Sequence, residues 1–160
     1  MNTKGPIGAF FFVAVIGSMS SASAQPPPDS AQARQIVALV DRAVAELGSK
    51  GKAAFAEFRT PDSEWRHGNV YVFGEGLDGT VWINAALPKL EGTNVNGLKD
   101  ANGKLFHVEM AKTIRAKGAG WVDYMWPKPG QSQPSQKWSY VKATTLDGAQ
   151  GYLGVGFYPQ

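Results

Sequence analysis

Two segments in the last third of the chain, Trp121-Val-Asp-Tyr-Met-Trp-Pro127 and Lys137-Trp-Ser-Tyr-Val-Lys142, restrict the fold more than any other feature. Their bulky side chains alternate, and a period of two belongs to an extended strand whose successive side chains point to opposite faces. On that period Val122, Tyr124 and Trp126 share one face of the first strand. In the second, Trp138, Tyr140 and Lys142 share one face, and Lys137 and Ser139 the other. The proline-rich stretch from Pro127 to Gln136 separates the two. Large rings beside a lysine suit an organic anion, although the same rings would serve a core equally well.

The rest of the chain reads as an α+β order. Pro26 to Pro28 is a stiff leader, and Asp29 or Ser30 can cap a helix by accepting a free backbone N–H. Ile36, Val40, Ala43, Val44 and Leu47 then recur at helical spacing up to Gly48. A second, shorter helix is expected from about Ser49 to Phe58, and a third carries Phe106, Met110 and Ile114 and ends at Gly118. Strands are expected at 70–73, 80–84, 121–126, 137–144 and 152–158. The expected fold is thus about five mostly antiparallel strands with helices packed on the sheet.

The ends and the composition set outer limits. Residues 1–24 combine Lys4, an apolar run from Ile7 to Ile16 and Ala22-Ser-Ala24, the anatomy of a cleaved secretory signal. That leaves residues 25–160 as one domain and places it in the periplasm, without a transmembrane segment in the mature chain. The sequence has no cysteine, so an oxidising compartment imposes no pairing. A formal charge of +3, spread along the chain, does not argue for nucleic acid.

The motifs of catalysis and metal binding lack their required context. Gly74-Glu-Gly-Leu-Asp-Gly79 matches the dinucleotide pattern, but β-branched and aromatic residues follow it where a helix must begin, so it reads as a hairpin turn. His107-Val-Glu109 has no cysteine partner for a deaminase zinc and reads as a surface pair on the third helix. His67 and His107 are the only histidines, and neither stands at a metal-ligand spacing. No nucleophile motif marks Ser135 or Ser139, and Glu75, Asp78, Asp100, Asp123 and Asp147 fall mostly at predicted turns. Binding without an enzyme activity, a cofactor or a metal is the expectation.

A series of blocks, in order, resembles the extracytoplasmic single Cache sensor domains of the second single-Cache class. The blocks are Val70-Tyr-Val-Phe73, Leu77-Asp-Gly-Thr80, Gly92-Thr-Asn94, Leu98-Lys-Asp-Ala-Asn-Gly-Lys104, Gly120-Trp-Val-Asp-Tyr124 with Trp126-Pro127, Lys137-Trp-Ser-Tyr-Val-Lys142 and Gly154-Val-Gly-Phe-Tyr158. The resemblance implies a long N-terminal helix on a five-stranded antiparallel, PAS-like sheet, with a small-molecule pocket under a covering helix or loop. It implies a small organic ligand such as a short carboxylate, and a message passed to a membrane-bound receptor or sensor kinase. Tyr124 and Trp126 match the family's aromatic pair, and Lys137 and Tyr140 its lysine and tyrosine on the next strand. Tyr71 and Trp82 join this ligand-binding set from their strand positions.

Two departures accompany the resemblance. Asn84 stands where many relatives have a histidine, and Trp82 replaces a smaller residue and is expected to fill part of the pocket, so the ligand should differ from the family's usual acids. The signalling segments to which relatives are fused are not expected in this free-standing chain. The competing reading is a periplasmic interaction module whose pocket is filled by its own side chains and which docks on a membrane partner.

Overall fold

A computed structural model describes residues 29–159, so the expected signal at 1–24 and the leader Pro26 to Pro28 lie outside the described residues. Helix α1 runs from Ala31 to Lys50; the Ser30 hydroxyl caps it by accepting from the Ala33 N–H at 3.1 Å. A single 3-10 turn, Gly51–Ala53, leads into the short α2, Ala54–Phe58. The strands are β1 Arg66–His67, β2 Val70–Gly76, β3 Val81–Asn84, β4 Ala119–Pro127, β5 Pro134–Leu146 and β6 Ala149–Phe157. Helix α3, Phe106–Lys117, precedes β4 and stops where Gly118 takes φ +73, a left-handed conformation that costs glycine little.

All pairings are antiparallel, in the order β1-β2-β6-β5-β4, with β3 paired to β2 beyond β1. The sheet therefore has six strands, one more than expected, because two residues before Val70 pair back on it. The glycine-rich stretch 74–79 is a hairpin turn: Thr80 N donates to Asp78 Oδ1, and Gly79 takes φ +88. β2 nevertheless extends through Gly76, across an irregularity at Gly74/Glu75. Glu75 is consequently a buried strand residue and not a turn residue.

The two faces of the sheet carry separate cores. Ile36, Leu39, Val40, Ala43 and Leu47 of α1 pack on Val72, Ile83, Trp138, Leu153, Val155 and Phe157. Phe106, Met110 and Ile114 of α3 pack on Tyr71, Phe73, Val122, Tyr124, Val141 and Tyr152 on the opposite face. Burying each such side chain stabilises by about 1.5 to 3 kcal/mol, so neither face can be exposed cheaply. The loop between β3 and α3 folds over the second face, and Asp100 fastens it: its carboxylate accepts from Asn102 N, Lys104 N and, on β4, Met125 N at 2.8 to 2.9 Å.

Candidate functional site

The α3 face holds a lysine that ordinary surface chemistry does not explain. Lys137, near the start of β5, is 1 % exposed, and its stem crosses β6 over Gly156. A side chain at that glycine would lie 2.4 Å from Lys137 Cε and from Ser139 Oγ, so glycine there is what lets the lysine reach β2. At the far end Lys137 Nζ donates to the Tyr71 hydroxyl at 2.8 Å. It also lies 4.0 Å from the centroid of the Tyr71 ring, 5.5 Å from that of Phe73 and 5.8 Å from that of Tyr124.

Among the described residues no carboxylate stands within 4.0 Å of this ammonium. Burial without a counter-ion disfavours the charged form and pushes the Lys137 pKa down to about 7. The surrounding hydroxyls are displaced the opposite way: burial raises Tyr71 and Tyr124 well above the usual phenol range, and Tyr158 to about 12. They stay protonated and can donate. Tyr124 and Ser139 pair their hydroxyls at 3.0 Å, and Trp126 and Tyr158 are the polar neighbours that act on the Tyr71 hydroxyl. Phe106 stacks on Tyr124 with centroids 4.3 Å apart and planes 5° from parallel, which fixes the ring from the α3 side. The result is a buried aromatic cluster in which hydroxyl donors gather around a single lysine.

Of the six residues singled out in the sequence, Tyr71, Tyr124, Trp126 and Lys137 come together here. Trp82 and Tyr140 stand on the opposite face. Tyr140 packs beside Trp121 at the margin of the α1 core, and Trp82 lies over Gly151 and Gly76, so it does not fill the space around Lys137. The period of two that separates Lys137 from Tyr140 already excludes a common face for them. Tyr158 and Ser139 join the cluster although they were not among those six. Their signal is register: Trp138 pairs with Phe157, which sets Tyr158 beside Lys137, and Ser139 shares the lysine's face.

His107 is also placed differently from the surface position expected. It is 8 % exposed, and its Nδ1 lies 2.6 Å from Glu75 Oε1, without the alignment of a hydrogen bond. Tyr152 donates to the other oxygen of Glu75. This buried group joins α3 to the end of β2 remote from Tyr71. Among the described residues no group of three or more His, Cys, Asp or Glu side chains is placed to hold a metal ion.

Comparison with known proteins agrees with this architecture. Residues 59–159 match the model of the Cache domain family, and the chain belongs to that family. A solved periplasmic sensor domain of a chemotaxis protein superposes with a TM-score of 0.69 at 30 % identity, covering 81 % of this chain and 95 % of the other. A solved Cache chemosensory domain described for carboxylic acid recognition matches with the same scores and coverage. The methyl-accepting chemotaxis protein McpP of Pseudomonas putida is 36 % identical over 74 residues, which are 41 % of this chain and 14 % of that protein. The chain thus spans only a small part of the length of that curated relative.

Proposed function

We propose that this chain is a periplasmic sensor domain that binds a small organic anion, a short carboxylate, with its head group on Lys137. The observation that carries the reading is the buried ammonium without an acid beside it among the described residues. An uncompensated buried charge costs several kcal/mol, and a carboxylate ligand would supply the missing partner. Tyr71, Tyr124, Trp126 and Tyr158 would close around it, with Ser139 as a further donor. A hydrogen bond between ionised partners contributes about 1.5 to 3 kcal/mol. Support also comes from the solved Cache domain described for carboxylic acid recognition.

Sensing belongs to the same reading, in which donors and a cation gather around one point. Among the described residues no helix is long and apolar enough to cross a membrane. Passing the message to a membrane-bound receptor or sensor kinase belongs to this proposal, as does export after removal of residues 1–24. The intact mass of the protein recovered from periplasm checks the cleavage.

A thermal-shift series with short monocarboxylates on wild type and Lys137→Met tests the site. Stabilisation should grow with ligand concentration as RT ln(1 + [L]/Kd) in the wild type and disappear in the variant. The ligand-free variant should melt higher than wild type, because moving a lysine pKa from 10.5 to about 7 corresponds to a few kcal/mol of buried-charge cost. Equal ligand shifts in both proteins, or none in either, would defeat the proposal.

A further inference from the structure

Lys137 is not the only cation at its end of the sheet. A cleft of about 580 Å³ opens alongside, a volume typical of small-ligand sites, and both Tyr71 and Trp126 line it. The Tyr71 ring lines the cleft and its hydroxyl accepts from Lys137 Nζ, so the cleft and the buried lysine meet at this residue. Lys128, on the segment leaving β4, lines the cleft as well. Its Nζ lies 5.6 Å from the centroid of the Tyr158 ring. Lys137 Nζ lies the same 5.6 Å from that centroid, so the two ammonium groups are separated by at most twice this distance.

Among the described residues, the other charged groups of the cleft leave Lys128 without an acid. Arg66 donates to the Arg59 carbonyl oxygen at 3.1 Å, and His67 Nδ1 lies 2.9 Å from the Ser63 carbonyl oxygen. Asp62 is an exposed acid of the lining, held at φ +54. Among the described residues neither Asp62 nor any other carboxylate comes within 4.0 Å of Lys128.

We propose that the cleft is an outer anion subsite and that the preferred ligand carries two carboxylates, one held by Lys137 and the other by Lys128. This rests on the reading of Lys137 as a carboxylate partner. Contacts between ammonium and carboxylate are about 2.8 Å long, so a ligand lying between the two ammonium groups spans no more than about 5 to 6 Å between its acidic groups. That is the reach of a three- to five-carbon dicarboxylate. The ligand lies along the Tyr158 ring, with its inner head reached past Tyr71 and its outer head at the mouth.

Isothermal titration of the exported chain with malonate, succinate and glutarate, each against the monocarboxylate of equal carbon number, tests this. The best dicarboxylate should bind about tenfold or more tightly than its monocarboxylate counterpart, the factor of one charge-assisted contact. In Lys128→Met that advantage should vanish while monocarboxylate affinity and melting temperature stay as in wild type. An equal affinity for the two classes, or an advantage that survives Lys128→Met, overturns the outer subsite and leaves the inner one standing. Failure of every carboxylate to bind would remove the Lys137 reading and this inference together.

Discussion

Gly156 illustrates how a residue without a side chain can shape a proposed binding site. A Cβ there would meet Lys137 Cε at 2.4 Å and the Trp138 carbonyl oxygen at 2.8 Å; the first could swing away, but the second is backbone. Gly156→Ala should therefore destabilise the protein by about 1 to 3 kcal/mol, the usual range for overpacking. It should also weaken carboxylate binding far more than a change of that size elsewhere, because the lysine stem loses its path across β6. Chemical melts combined with titration of the variant check both effects. Full ligand affinity in Gly156→Ala would mean that the lysine reaches its position by another route. Gly154 has a parallel role, since a Cβ there would lie 2.5 Å from the Phe73 ring.

Among the elements, the loop between β3 and α3 depends on a single carboxylate. Burial disfavours the charged form of Asp100, yet the backbone N–H groups of Met125, Lys104 and Asn102 hold its pKa below the usual carboxylate value. A carboxylate depressed in the folded state contributes stability above its unfolded pKa and loses it as pH falls through the folded value. Asp100→Ala should cost about 1 to 2 kcal/mol at neutral pH by leaving three N–H donors, exposed or half-buried, without their acceptor, and less in acid. Denaturant melts at pH 7 and pH 3 measure the difference; equal losses at both would show that ionisation is not what fastens the loop. This attachment was not legible from the sequence, where Asp100 in a polar stretch looked like any turn aspartate. The strand faces were legible, because a period of two needs only local alternation. The choice between faces was not legible for Trp82, since it depends on which helix covers which side, whereas Tyr140 was grouped with Lys137 through the family resemblance and against its own alternation. Glu75 was obscured by its glycine neighbours, which suggest a turn where β2 in fact continues.

The molecule as a whole has one buried titration that links its fold to its proposed ligand. In the empty protein Lys137 has a pKa near 7, against 10.5 for the exposed group. Between those values the unfolded chain binds more protons than the native one, so stability of the empty protein should rise with pH across that window. A bound carboxylate reverses the balance by favouring the ammonium, and binding above pH 7 must then draw a proton from solution. Apparent affinity should be flat just below pH 7 and fall towards tenfold per unit above it, until the pKa of the liganded lysine is reached. Titrations at pH 8 in two buffers of different ionisation enthalpy report the number of protons taken up. A value approaching one is expected for wild type. A value of zero, with affinity constant between pH 7 and pH 9, would mean that the lysine is already charged when empty, and the case for a ligand as its missing counter-ion would lose its physical basis.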